Sequence, residues 1–188
     1  AGPPVFNDTT LQATHVTIKD NYAFVTYNYK GPEWLGGMQI FDISKILNKQ
    51  KEALVNEFIW PNDEVNSVDF YEGKIYVVGA SGDYKAWGYD KPAFLEIIPL
   101  TEALEEKTPD LDTLDIPSYS GTDVCVAGGK IYTTSGSKGG LSIFNTENYN
   151  KTSEDIEYAR SVDTNSNNLY LLQGNPGRIN QFSLEGAP

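Results

Sequence analysis

The sequence predicts an all-β fold on three observations. Apolar and polar residues alternate with a period of two over many short segments, which is typical of strands. The turn-forming sequences Asp-Asn, Glu-Gly, Gly-Gly and Asn-Ser-Asn-Asn separate these segments in pairs and indicate tight hairpin turns. No helix of ordinary length is predicted, since only residues 46–53 and 101–107 have a pattern that suits one or two helical turns.

One hairpin pattern occurs four times in the same register. An aromatic residue stands at the same position of each second strand, and a valine precedes it by eight residues: Phe24, Tyr76, Tyr132 and Tyr170 follow Val16, Val68, Val124 and Val162. Because the aromatic residues follow the strand alternation, we expect all four in the core. They are 52, 56 and 38 residues apart, which brackets the roughly 40–50 residues of a four-stranded propeller blade.

Further strand-like segments follow each hairpin and would complete a blade. Third strands are predicted at residues 38–43, 94–100, 141–144 and 178–184, and fourth strands at 53–60, 111–116 and 156–159. The pattern therefore predicts a single domain, residues 1–188, that is a β-propeller of four four-stranded blades. The blades are expected at about 14–60, 65–117, 121–159 and 160–184.

The ends of the chain leave two ways of completing the propeller. Phe6 lies ten residues before Val16, about as far as the fourth strand of the first blade lies before Val68. We therefore expect residues 4–7 to complete the last blade and close a four-bladed ring, which removes free strand edges. The same spacing fits four blades of a larger propeller that another chain completes. A third arrangement, an open array of blades, is disfavoured because it would expose strand edges.

Composition excludes several classes of function. The 14 basic and 26 acidic residues give a net charge of −12, which argues against nucleic acid as a partner. A single Cys and a single His exclude a disulfide framework and any multi-histidine metal site, so no metal and no cofactor are expected. Cys125 lies between two valines and is interpreted as a core residue. No membrane span is expected, and since the first residue is not Met we expect a processed or partial chain.

The first repeat carries a resemblance to a known group of proteins. Its segments 15–16, 21–25 and 37–44, the last reading Gly-Met-Gln-Ile-Phe-Asp-Ile-Ser, are similar to the LVIVD and YVTN-type propeller repeats of bacterial cell surfaces. The match is partial in the third repeat, at residues 139–145, and weak in the other two. The resemblance implies a secreted or cell-envelope propeller and carries no catalytic motif.

Blade geometry predicts where a ligand would bind. The first strand of each blade should line the central channel, and the long aromatic loops 28–36 and 80–90 should lie on the face of the channel mouth. Aromatic rings there could stack on sugars or anchor a protein partner, although they could equally pack the loops onto the blades. The candidate ligand-binding residues are Tyr29, Trp34, Tyr84, Trp87, Tyr89, His15, Asn66, Asp123 and Arg160.

Three functions fit these observations. The first is a non-catalytic module that binds a glycan or a protein through the aromatic loops. The second is a propeller enzyme, a lyase or hydrolase, that would use His15, Asp123, Arg160 and Tyr29 at the channel mouth. The third is a set of structural blades within a larger assembly. The absence of a catalytic motif favours the first.

Overall fold

Four antiparallel sheets follow one another along the chain, and each contains one predicted hairpin. The computed structural model describes residues 1–48, 52–105 and 111–184. Sheet 1 consists of β3 (Gln12–Lys19), β4 (Tyr22–Asn28), β5 (Leu35–Asp42) and β6 (Leu54–Pro61); sheet 2 consists of β7 (Asp63–Tyr71), β8 (Lys74–Ser81), β9 (Ala93–Pro99) and β10 (Asp112–Asp115). Strands adjacent in sequence are adjacent in each sheet, as expected for propeller blades.

The other two sheets have shorter strands. Sheet 3 consists of β11 (Asp123–Ala127), β12 (Lys130–Thr134), β13 (Leu141–Asn145) and β14 (Lys151–Glu154), and sheet 4 of β15 (Ala159–Thr164), β16 (Asn168–Gly174) and β17 (Gly177–Ser183). The predicted fourth strand at 156–159 is wrong: the strand is β14, and Ala159 already begins sheet 4. The side chains of Asn145 and Asn148 accept backbone N–H bonds within the preceding turn, so the chain reverses and pairs earlier than expected.

The N-terminal stretch does not complete the last sheet, which corrects the prediction for residues 4–7. Strands β1 (Val5–Phe6) and β2 (Thr9–Thr10) pair with each other. Asn7 and Asp8 connect them with φ angles of 47° and 64°, a left-handed conformation that Asn and Asp tolerate better than most residues. The hairpin and Leu11 pack on sheet 1, so sheet 4 has three strands among the described residues.

The helical segments are short. Helix α1 (Ile43–Leu47) begins at Asp42, whose side chain accepts the N–H of Lys45, so it lies three residues earlier than predicted. Helix α2 (Leu100–Glu105) coincides with most of the second predicted turn, and α3 (Gly136–Gly139) was not predicted. Residues 49–51 and 106–107 of the predicted turns lie outside the described residues. Within the described part of the chain, no helix is both long and apolar enough to cross a bilayer.

The core consists of apolar layers between consecutive sheets. Phe24 lies between sheets 1 and 2, where its ring stacks on that of Phe70 at 5.2 Å, Tyr76 lies between sheets 2 and 3, and Tyr132 between sheets 3 and 4. These three rings are buried, as predicted. Tyr170 is only half-buried, because no described sheet covers its face of sheet 4.

The four sheets form an open series. Their first strands contact one another in chain order, β3 with β7, β7 with β11 and β11 with β15, whereas the described residues show no comparable packing of β3 on β15. Val16 and Ile18 on sheet 1 are 55% and 64% exposed, and Ile179 on sheet 4 is 70% exposed. A closed four-bladed ring would cover these side chains.

Candidate functional site

The first strands of all four sheets surround a channel cavity of about 380 Å³. His15 and Asp123, both predicted at the channel mouth, line this cavity. Lys19, Asp69 and Cys125 also line it, and sequence reasoning did not assign them to a site. The alternation of the first strands could have located Asp69, because it lies at the same repeat position as Cys125.

The carboxylate of Asp123 joins three sheets. One oxygen accepts the hydroxyl of Ser67 at 2.6 Å and the N–H of Val124 at 3.0 Å. The other accepts the hydroxyl of Ser161 and the N–H of Val162, both on sheet 4. Asp123 is 7% exposed, and a buried carboxylate with four donors is a structural junction rather than a free general base.

Asp69 forms a second junction deeper in the channel. Its Oδ1 accepts the N–H of Phe70 at 2.8 Å and the ammonium of Lys19 at 3.0 Å, and its Oδ2 accepts the N–H of Val126 at 2.7 Å. These contacts link sheets 1, 2 and 3. The charge of Asp69 is thus compensated by Lys19 and by two backbone donors.

Cys125 is buried as predicted, and its chemistry follows from that burial. Its Sγ lies 3.2 Å from the hydroxyl oxygen of Thr164, and desolvation raises the pKa of the thiol to about 11. The thiol is therefore protonated at neutral pH. Among the described residues, no group of three His, Cys, Asp or Glu side chains is arranged to hold a metal ion.

Asn66 is engaged in a contact that recurs between the sheets. Its amide donates to Gly121 O at 2.8 Å, and the hydroxyls of Thr14 and Thr122, at the same repeat position, donate to Val65 O and Arg160 O. Each of these side chains thus ties its sheet to the backbone where the next sheet begins. Arg160 occupies the fourth such position, but it is exposed and lines a separate cavity of about 320 Å³.

A second cavity, lined in part by aromatic rings, lies outside the channel and has a volume of about 540 Å³. Four segments build it: the β1–β2 hairpin, the β4–β5 loop, the turn between sheets 1 and 2, and the start of the β8–β9 loop. Its lining includes Phe6, Asn7, Glu33, Trp34, Asn62 and Gly82. We call it the Trp34 cavity.

Backbone hydrogen bonds fix the floor of the Trp34 cavity. The N–H of Asn62 donates to Trp34 O at 3.0 Å, and the N–H of Gly82 donates to Asn62 O at 2.7 Å. The Trp34 ring lies over Gly82, since a Cβ placed on Gly82 would be 3.6 Å from ring atom Cε3. A side chain at residue 82 would therefore narrow the space beside the ring.

Trp34 is the one member of the five predicted rings that lines this cavity. Tyr29 packs with Leu11 on the face of sheet 1, and the Tyr84 ring lies 5.7 Å from the ammonium of Lys85. Trp87 is 37% exposed and meets the ring of Tyr89 edge-on at 5.9 Å. The Tyr89 hydroxyl donates to Thr113 O, which holds this pair against sheet 2. The two loops therefore contribute unequally to the cavity.

Sequence reasoning missed Phe6, Asn7, Glu33 and Asn62 as lining residues. The signal for the first two was the Asn-Asp pair between short β-prone segments, which indicates a hairpin rather than a closing strand. Asn62 has a φ of 73°, and an Asn following a Pro at a strand end is a turn signal.

Sheet 2 also contains two buried carboxyl groups, Asp63 and Glu96, whose burial the sequence did not predict. Burial raises the pKa of Glu96 to about 8, with a further contribution from Asp63, whose own pKa is raised by burial. Glu96 Oε2 and Asp63 Oδ1 have no hydrogen-bond partner among the described residues. Glu96 is therefore protonated at neutral pH.

Comparison with known proteins supports the fold. No family model and no curated protein sequence matches the chain. Among solved structures, the computationally designed Ika8 protein is similar over 92% of this chain and 46% of its own, with a TM-score of 0.55 and 10% identity. BamB from Moraxella catarrhalis, a β-propeller, is similar over 90% of this chain and 42% of its own, with a TM-score of 0.57 and 13% identity.

A third similar structure is the glutaminyl cyclase of Myxococcus xanthus, matched over 92% of this chain and 64% of its own, with a TM-score of 0.53 and 10% identity. The chain thus spans less than two thirds of each of these three proteins. At these identities the likeness concerns the fold alone, and the fold is all-β and propeller-like.

Proposed function

We propose that this chain is a non-catalytic binding module of a secreted or cell-envelope protein and that it binds a neutral saccharide in the Trp34 cavity. The observation that carries the proposal is a cavity of about 540 Å³ with an indole ring beside amide and carboxylate groups. Its volume is within the range of small-molecule sites. The extracytoplasmic location depends on the resemblance of the first repeat to cell-surface propellers.

The chemistry of the lining suits a sugar. The indole of Trp34 and the ring of Phe6 offer apolar faces on which the C–H face of a pyranose can stack. The amides of Asn7 and Asn62 and the carboxylate of Glu33 can exchange hydrogen bonds with hydroxyl groups. Glu33 and the net charge of −12 disfavour an anionic ligand.

The local backbone favours binding without large rearrangement. Because Asn62 is hydrogen-bonded to both Trp34 and Gly82 through its main chain, the floor of the cavity is held before a ligand arrives. A preformed site loses less entropy on binding. A protein ligand remains the second possibility, but a partly buried indole in a concave site suits a small ligand better than a flat protein surface.

A titration with neutral oligosaccharides tests the proposal. Isothermal calorimetry on the wild-type chain should detect binding of at least one neutral oligosaccharide, and Trp34→Ala should weaken its affinity at least tenfold, as expected for a central aromatic anchor. Trp87→Ala is the matched control, because it also removes a partly exposed indole but lies outside the cavity. Absence of saccharide binding, or equal effects of the two variants, would contradict the proposal.

A further inference from the structure

The two ends of the sheet series expose complementary surfaces. At sheet 4, Leu172 and Ile179 are 41% and 70% exposed beside the half-buried Tyr170. At sheet 1, Val16 and Ile18 are 55% and 64% exposed on β3. Isolated exposed apolar residues are ordinary, but here they lie side by side on the two sheets that end the series.

The repeat register shows what covers the same faces inside the chain. Tyr132, equivalent to Tyr170, packs in the layer between sheets 3 and 4 together with Val162, which is equivalent to Val16. Tyr76 and Val124 form the same pair of positions between sheets 2 and 3. The exposed face of sheet 4 therefore carries the repeat positions that pack, elsewhere in the chain, against the positions that sheet 1 exposes on β3.

Polar side chains on sheet 4 occupy the repeat positions that form hydrogen bonds between neighbouring sheets elsewhere in the chain. Asp163 lies at the repeat position of Asp69, and its Oδ1 accepts the N–H of Thr164 at 2.7 Å just as Asp69 accepts that of Phe70. The second oxygen of Asp69 accepts Val126 N–H from the next sheet, and the equivalent N–H on sheet 1 belongs to Ile18. Arg160 likewise stands where Thr14, Asn66 and Thr122 each donate to the next sheet.

The N-terminal hairpin is compatible with such docking. Phe6 and Leu11 pack with Tyr27, Leu35 and Ile59 on β4, β5 and β6 of sheet 1, and Val16 and Ile18 on β3 stay exposed. Sheet 4 lacks an outermost fourth strand among the described residues. A three-stranded sheet 4 that docks on the exposed side chains of β3 therefore does not need the place that the hairpin occupies.

We infer that sheet 4 of one copy of this chain docks on sheet 1 of a second copy, and that two such junctions close a two-chain propeller. Both halves of the interface belong to the same chain, so a twofold axis generates two identical junctions and leaves no apolar face open. Ika8 and BamB support the stoichiometry, because 90–92% of this chain spans 46% and 42% of them. Two copies therefore supply roughly one propeller of that size. This inference is independent of saccharide binding.

The native mass tests the inference. Sedimentation of the wild-type chain at tens of micromolar should show a species of twice 20.8 kDa. The double variant Leu172→Asp with Ile179→Asp, and the double variant Val16→Asp with Ile18→Asp, should each sediment as monomers with an unchanged far-ultraviolet circular dichroism spectrum. Leu47→Asp is the control, because Leu47 is 76% exposed on α1, a helix that contacts β5, and the substitution should leave the dimer intact.

Mixing the two double variants separates docking from misfolding. Each variant retains one intact face, so the mixture should form a heterodimer through a single junction, whereas neither variant alone should dimerise. A wild-type chain that is monomeric at every concentration, or a dimer that withstands both double variants, would overturn the inference. So would a ring that forms only when a different protein completes it.

Discussion

The buried carboxyl of Glu96 predicts an unusual dependence of stability on pH. The unfolded chain ionises this group near pH 4.5, whereas in the folded state burial raises its pKa to about 8. Between these values the unfolded state is ionised and the folded state holds the proton, so folding takes up one proton. The contribution of Glu96 to stability is therefore fully present below pH 4.5 and is lost as the pH rises toward 8.

The size of the effect follows from the linkage relation. One proton taken up on folding changes the free energy of unfolding by about 1.4 kcal/mol per pH unit. The ionisation of Glu96 should therefore lower the free energy of unfolding by on the order of 3 kcal/mol as the pH rises from 5 to 7. Glu96→Gln has nearly the same shape but does not ionise. Its stability relative to wild type should therefore rise by that amount over the same interval.

Urea unfolding followed by tryptophan fluorescence at pH 5, 6, 7 and 8 measures this difference. The other acidic residues also titrate, but their contributions are common to both proteins and cancel in the comparison. Glu147→Gln is the control, because Glu147 is exposed. Its free energy of unfolding should differ from that of wild type by the same amount at every pH. If the difference in the free energy of unfolding between Glu96→Gln and wild type stayed constant from pH 5 to pH 8, the proposed protonation of Glu96 would be refuted.

Three further predictions concern the repeat positions. Tyr132→Ala should lower the free energy of unfolding by about 3–5 kcal/mol and Tyr170→Ala by less than about 2 kcal/mol, because Tyr132 is buried and Tyr170 is half-exposed. Both are measured by urea unfolding at concentrations where the chain is monomeric. Equal losses would contradict the absence of a sheet beside Tyr170. Asn66→Ala should lower the free energy of unfolding by about 1–3 kcal/mol in the same assay, because it removes the 2.8 Å hydrogen bond that the Asn66 amide donates to Gly121 O; an unchanged midpoint would show that this contact does not stabilise the junction. Cys125 should react with a thiol reagent at pH 8 at least about a hundredfold more slowly in the folded chain than in urea, because burial raises its pKa to about 11 from 9.0; similar rates would contradict its burial.

The strands could be predicted where local signals determine the pairing. In each hairpin, the alternation and the turn residues lie within a few positions of each other, so the register of Tyr76 with Asp69 and of Tyr132 with Cys125 follows from neighbouring sequence. Strand β14 was missed because Lys151–Glu154 is a polar edge strand without alternation. Its position depends on the turn that precedes it.

The N-terminal strand shows how a local contact prevails over a distant one. An extended segment such as Val5–Phe6 suits any free sheet edge, so its sequence is compatible with closing the last sheet. Pairing with Thr9–Thr10 closes a loop of two residues, whereas pairing with sheet 4 would close a loop of most of the chain at a greater cost in entropy. The Asn-Asp turn favours the local partner.

The candidate site was predictable only in part. Trp34 could be named from the aromatic loops, but nothing in the sequence separates it from Trp87, which packs against Tyr89 and Phe94. Asp123 could be placed at the channel mouth, yet its four donors come from three sheets. Whether a side chain is held by hydrogen bonds within the protein or is available to a ligand depends on neighbours that are distant along the chain.

The sequence by itself determined the all-β class, the four hairpins and their common register, because alternation and turn chemistry act between residues close along the chain. Only the tertiary structure decided that the series of sheets stays open, that Asp69 and Asp123 join neighbouring sheets, and that a cavity forms at Trp34. These features depend on packing between elements that are distant along the chain, as in the Ser67–Asp123 and Asp69–Val126 hydrogen bonds, which span 56 and 57 residues. The equivalent positions Tyr132 and Tyr170 therefore differ in burial although they share one pattern, since one has a sheet beside it and the other does not.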